Sequence, residues 1–158
     1  MDYEAQLDAA KRASTLQVLF KVARLVNDEA LATLATHTGV TVRASHAALF
    51  PHIDLDGTRV TELAHRVGVT KQAVSQLVAD LEATGTVERV RDPSDGRAKL
   101  VRFTPRGREA LLQGLEVLGA VAGSYRPVLG DDGMHQLHEL LTTMLAEAER
   151  RRADSGAQ

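Results

Sequence analysis

Helical periodicity dominates this chain, and one short stretch of strand periodicity interrupts it near the middle. Over residues 4–36, Leu16, Leu19, Phe20, Ala23 and Val26 recur at helical spacing without Pro or Gly, predicting one long helix stopped at Thr38-Gly39. A second helix is expected over 42–50, ended by Pro51, then a loop at 54–57 and a short strand at 58–60. Leu63, Ala64 and Val67 make a short apolar stripe, with Thr61 as cap and Gly68 as stop. Val74, Leu77, Val78 and Leu81 make a second stripe at i, i+3, i+4 and i+7, between a Thr70 cap and a Gly85 stop. The period then changes. Residues 87–91 and 100–103 alternate apolar and polar positions, as half-buried strands do. Between them Asp92-Pro93-Ser94-Asp95-Gly96-Arg97 is dense in turn formers. Thr104-Pro105 opens another helix, carrying Ala110, Leu111, Leu115, Leu118 and Val121. Pro127 and Gly130 break it. A last helix begins near Asp131 or Asp132, carries Leu137, Leu140, Leu141, Met144 and Leu145, and ends in Arg150-Arg151-Arg152. Residues 153–158 read as a disordered tail.

The two central helices, joined by a few residues around Gly68, form a helix-turn-helix pattern. Opposite its apolar stripe, the second helix carries Gln72, Ser75, Gln76 and Ala79, with Lys71 on the flank. Such a face can enter a major groove, where Gln pairs bidentately with adenine and Ala or Thr meets a thymine methyl. An ordinary solvated face carries more Glu and Lys. The strand pair after it makes a β-wing. Arg97 stands near its tip, where a cation suits the negative potential of a narrow minor groove. Asp95, two residues away, is expected to hold the Arg97 guanidinium in a bidentate pair.

These residues resemble the winged helix of the multiple antibiotic resistance regulator (MarR) family. The resemblance rests on Leu63-Ala64, Thr70-Lys71-Gln72, Leu77-Val78-Ala79-Asp80-Leu81-Glu82, Gly85 and Val87-Glu88-Arg89. It continues through Asp92-Pro93-Ser94-Asp95-Gly96-Arg97, with Leu100 and Thr104 behind. It implies a mostly α fold with a small β-wing: a winged helix-turn-helix at 41–104, flanked by dimerisation helices at 1–36 and 105–152 within one structural domain. It also implies a homodimer whose first and last helices interleave. Thr70, Lys71, Gln72, Ser75 and Gln76 would meet DNA, Arg97 would probe the minor groove, and Arg89, Lys99 and Arg102 would touch phosphates where exposed. Such regulators bind a pseudo-palindromic operator, most often repress, and respond to a small aromatic or anionic effector. The pocket implied for that effector would fall near Arg43, His46 and His52.

Charge and composition sharpen this picture. The formal net charge is −2 over 158 residues, which by itself disfavours DNA. Its distribution reverses the point. Residues 59–108 hold ten Lys/Arg and six Asp/Glu, giving +4, and the remainder holds nine and fifteen, giving −6. Local rather than global charge governs phosphate contact. There are 0 Cys residues, so disulfides, thiolate metal sites and cysteine redox sensing are excluded. No apolar run approaches the ~20 residues of a membrane span. The first residues, MDYEAQLDAA, are not a secretory signal, so a cytoplasmic location is expected. The terminal helices hold more apolar surface than a ~50-residue DNA module needs, which favours a symmetric dimer.

Other chemistry finds little support. His135 and His138 lie three apart on a helix and can share a face, but without Cys and with no carboxylate expected at i+4 spacing they read as surface imidazoles and no metal is expected. No Gly-x-Ser-x-Gly elbow, phosphate-binding Gly loop, His-Glu-x-x-His or dinucleotide fingerprint is present, so no enzyme and no cofactor are expected. Arg43 can receive an anionic ligand or a DNA phosphate, while ordinary packing accounts equally well for His46 and His52. The alternative to a DNA-binding regulator is a winged-helix module that uses the same surface to bind protein.

Overall fold

Two helices occupy the N-terminal segment of the computed structural model, which describes residues 2–38 and 41–156. They are α1 (Tyr3–Ala13) and α2 (Thr15–Thr38), where the apolar spacing predicts one helix. Ser14 separates them in extended backbone, φ −81° and ψ 110°. Its Oγ accepts from the Gln17 amide at 3.4 Å, so Ser14 starts a new helix. The Ser-x-x-Gln spacing of a capping box is the local signal for this break. Gly39, half of the expected stop, lies outside the described residues.

The next elements are shorter than their periodicity suggests. A four-residue α3 (Ala44–Ala47) is followed by a 3₁₀ turn, Phe50–His52. Pro51 sits in the first turn of that 3₁₀ segment rather than after a helix, because its missing N–H has no partner to lose there. Strand β1 is only Thr58–Arg59, and Val60 already begins α4 (Val60–Val67). Thr61 is therefore inside the first turn, and the extended Arg59 holds the cap position that Thr61 was expected to fill.

The helix-turn-helix closes on local interactions. Gly68 ends α4 with φ +77°. The Thr70 side chain accepts from the Ala73 amide at 3.2 Å and caps α5 (Lys71–Ala83). Gly85, φ +71°, ends α5 in a Schellman motif, with the Thr86 amide on the Leu81 carbonyl and the Gly85 amide on that of Glu82, both at 2.9 Å. Strands β2 (Val87–Asp92) and β3 (Asp95–Phe103) form an antiparallel hairpin, and β1 joins the far edge of β3, giving the order β1-β3-β2. Leu49, Ile53, Leu63, Val74, Val78, Leu81, Val87, Val101 and Phe103 form the buried core under this sheet. Phe50 meets Phe103 edge to face, with ring centroids 5.8 Å apart.

Helix α6 (Pro105–Ser124) starts as Thr104-Pro105 predicts: Thr104 Oγ1 accepts from the Gly107 amide at 3.0 Å. The same hydroxyl donates to the Gly85 carbonyl at 2.6 Å, which ties the start of α6 to the end of α5. Gly107 is required there. A Cβ on it would stand 1.9 Å from the Thr86 carbonyl oxygen.

The chain divides into two compact units, 1–118 and 119–158, with the division inside α6. In the second unit, α7 (Arg126–Gly156) is interrupted at Gly130, φ 71° and ψ 170°, so the expected break is a break in direction within one helical segment. The helix continues to Gly156, past the start of the expected disordered tail. Arg150 meets Glu147 and Asp154, both at 2.9 Å, one turn before the end. Residues 157–158 lie outside the described residues. Leu16, Phe20, Leu112, Leu115, Leu140 and Leu145 are all exposed within a single chain.

Candidate nucleic-acid interface

Helix α5 turns Val74, Val78 and Leu81 into the core, so Gln72 and Gln76 face solvent and Ser75 is half-buried between them. Lys71 is exposed at the helix start and is in no ion pair among the described residues. Thr70 uses its oxygen as a cap, and its hydroxyl proton is left to donate outward.

The wing is tighter than its turn-rich sequence suggests. Asp92 pairs with Asp95, so the turn is only Pro93-Ser94, and Gly96 and Arg97 already lie on β3. Asp92 organises this turn. Its Oδ1 accepts from the Ser94 amide at 2.8 Å and from the Ser94 hydroxyl at 2.6 Å. Its Oδ2 takes Arg59 Nη2 at 2.5 Å and Arg59 Nε at 2.7 Å. The Ser94 hydroxyl and amide, then Arg59, hold the Asp92 carboxyl down at about 2.

Asp95 does not hold the Arg97 guanidinium. Its Oδ1 accepts the Arg97 backbone amide at 3.1 Å, and its Oδ2 lies 3.8 Å from Arg59. The arginine that braces the wing is therefore Arg59, which reaches it from β1. Pairing of β1 with β3 brings together residues 33 apart, a closeness with no local sequence signal.

The register sorts the wing's charges by face. Val87 opposes Phe103, Arg89 opposes Val101, and Arg91 opposes Lys99, so these residues share one face of the hairpin. That face is core near the helices and basic toward the tip at Arg91 and Lys99; the register then shifts between Arg91 and Asp92, and Arg97 lies in the irregular stretch of β3 between Asp95 and Lys99. Arg91, Arg97 and Lys99 are exposed and in no ion pair among the described residues. Arg91 carries no signal of its own in the sequence, because it stands outside the Asp92-Pro93-Ser94-Asp95-Gly96-Arg97 stretch. The other face carries matched charges: Glu88 opposes Arg102 at 2.9 Å, and Arg59 meets Asp92.

Two of the expected phosphate contacts are thus engaged within the fold. Arg89 donates to Glu82 Oε2 at 2.6 Å and to the Ser75 carbonyl at 3.3 Å, clamping β2 onto α5. Arg102 is held by Glu88.

Arg43, His46 and His52 do not converge as a set. Arg43 Nη1 and His46 Nε2 both approach Asp80 Oδ2, at 3.7 and 3.3 Å. The His52 carbonyl instead accepts from Arg66 Nη1 at 3.0 Å. An open groove of about 500 Å³ lies instead along α1 and α2, with Lys11, Arg12, Phe20, Lys21 and Arg24 on its walls. His135 meets Glu139 at 3.4 Å, so a carboxylate does stand at i+4 of this histidine, contrary to expectation. Among the described residues no three His, Cys, Asp or Glu side chains gather as a metal site would need. No helix among them is long and apolar enough to cross a membrane.

Similarity to known proteins agrees with this geometry. A protein-family model for the MarR family matches residues 38–98. The transcriptional activatory protein BadR of Rhodopseudomonas palustris is 34% identical over 108 residues, 65% of this chain; the match spans 58% of that protein's length. Among solved structures, MarR superposes with a TM-score of 0.74 at 23% identity, over 90% of this chain and 97% of that one. CouR of Rhodococcus jostii RHA1, solved with p-coumaroyl-CoA, superposes with a TM-score of 0.62 at 26% identity, over 84% and 92%. The repressor CouR has also been solved on a 23-mer DNA duplex, and that structure superposes at 0.62 and 24% identity, over 85% and 95%. With its α4-turn-α5 motif and β2–β3 wing, this chain has the winged helix-turn-helix fold of the MarR structure, and its residues 38–98 resemble the MarR family.

Proposed function

We propose that the protein is a homodimeric regulator that binds a pseudo-palindromic operator, places α5 in the major groove and its wing beside the adjacent minor groove, and represses by occluding a promoter. The observation that carries this reading is the pairing of two exposed features. Gln72, Ser75 and Gln76 present amide and hydroxyl groups on α5, and Arg91 and Lys99 form an unpaired basic pair on the wing face continuous with the α5 packing side, with Arg97 exposed toward the tip. The amide groups can read base edges, and the cations can meet phosphates and the minor groove. The DNA complex of the similar repressor CouR supports the same partner.

The dimer is supported by the apolar side chains that a single chain leaves exposed, Phe20 at 64% and Leu140 at 59% among them. A second copy covers such surface at little cost, and two-fold pairing gives two α5 helices for two half-sites. A small aromatic or anionic effector bound near the exposed Arg43 would favour a different spacing of those helices. The acyl-CoA ligand of CouR supports that class.

Selection of bound sequences from random duplex DNA, repeated with aromatic carboxylates and their CoA thioesters, tests the reading. The expected outcome is an inverted repeat whose enrichment falls with one ligand. Equal binding to all sequences with no dependence on salt would overturn it in favour of a protein-binding module. A reporter downstream of the selected operator then decides the sign of regulation, since the relative BadR is named an activator.

A further inference from the structure

Asp80 lies one turn after Gln76 on α5, beside the surface assigned above to base reading. Both of its oxygens are engaged. Oδ1 accepts from Gln76 Nε2 at 3.0 Å. Oδ2 faces His46 Nε2 at 3.3 Å and Arg43 Nη1 at 3.7 Å. His46 is 9% exposed and comes from α3, 34 residues earlier, so the anchor is set by packing and not by the helix itself.

A carboxylate only accepts hydrogen bonds. The Gln76 group facing Asp80 must therefore be the amide nitrogen, which resolves the choice between the two amide orientations on chemical grounds. His46 must likewise carry its proton on Nε2 to donate to Oδ2. With one N–H held by Asp80, Gln76 keeps its carbonyl oxygen and its second N–H for a partner, in one fixed order along the amide edge. That order suits the N6 donor and N7 acceptor of adenine in a single docking pose. The flipped amide would present acceptor and donor reversed, and adenine would not match.

We propose that Asp80, anchored by the buried His46, is a positioning residue for base recognition: it fixes the amide orientation of Gln76 and so sets the base preference at one operator position. This rests on the DNA-binding reading above. In the sequence Asp80 is only one residue of the stretch that resembles the MarR winged helix. Its role depends on His46 arriving from another helix.

The test compares wild type, Asp80→Asn, Gln76→Ala and the double variant on the selected operator and on duplexes carrying each base pair at each half-site position. Asp80→Asn offers Gln76 a donor as well as an acceptor, so both amide orientations become available. The expected result is a loss of preference of about fivefold to tenfold at one position, with an unchanged salt slope and unchanged affinity for random duplex. In the Gln76→Ala background Asp80→Asn should then change nothing at that position, because the two act as one unit. A second variant, His46→Phe, fills the buried site without the N–H donor and should weaken the same preference in part. If wild type selects a sequence and Asp80→Asn keeps the full preference at every position, the positioning role is overturned while DNA binding stands. If Asp80→Asn costs as much in the Gln76→Ala background, its role is structural and the proposal is overturned. If wild type itself shows no base preference, both readings fall together.

Discussion

At the residue scale, the fold decides which charges are free. Arg59, Arg66, Arg89 and Arg102 each face a carboxylate, whereas the exposed wing cations Arg91, Arg97 and Lys99 pair with none among the described residues. Arg97→Ala should therefore weaken operator binding and reduce the slope of log affinity against log salt by about 0.9, the release expected for one phosphate contact. Arg91→Ala should do the same, and Arg102→Ala should leave the slope unchanged. Fluorescence titrations at several salt concentrations separate the three. Asp92 gives a pH prediction with a definite sign. Its folded value, about 2, lies below the ordinary 3.8, so the unfolded chain binds the extra proton in between. The stability it contributes is complete above about 3.8 and is lost as the pH falls toward about 2. Denaturant unfolding of wild type and Asp92→Asn should accordingly differ at neutral pH and converge over that window. A difference that persists at the acid end would remove this account of the wing turn.

At the element scale, short-range rules carry most of the folding of α4, α5 and the hairpin. Thr70→Ala removes the cap that holds the Ala73 amide and should cost about 1 kcal/mol, read as a lower thermal midpoint. Gly107→Ala should cost more than an ordinary surface change, about 1–3 kcal/mol, because its Cβ would meet the backbone of Thr86 and α6 cannot shift without pulling Thr104 off Gly85. The element scale is also where the sequence reading loses detail. Apolar spacing runs through Ser14, since a helix break costs no change of period there, and only the Ser-x-x-Gln spacing, realised as the hydrogen bond from the Gln17 amide, marks it. Val60 reads as the end of a strand by residue type, yet it opens α4, because burial of Leu63 and Ala64 sets where that helix begins.

At the scale of the whole molecule, the exposed apolar residues of α2, α6 and α7 lead to a prediction about assembly. Leu140→Glu or Phe20→Glu should lower the apparent mass in sedimentation toward that of one chain, and should weaken binding to a full operator far more than to a single half-site. Protection of the two half-sites should repeat about one helical turn apart, roughly 10–10.5 base pairs centre to centre. The sequence alone determined the features that close within a few residues: the Thr70 cap, the Gly68 and Gly85 stops, the Thr104-Pro105 helix start and the alternating wing strands. These depend on backbone dihedrals and hydrogen bonds to near neighbours, so residue type and spacing suffice to place them. Tertiary structure alone decided which side chains meet across long separations. It brought Arg59 to Asp92, moved Asp95 off the Arg97 guanidinium, drew Arg89 and Arg102 into ion pairs, and set His46 against Asp80. A charge can be counted from the chain, but its partner is chosen by packing, and that choice separates the cations that brace the wing from those left without a carboxylate among the described residues.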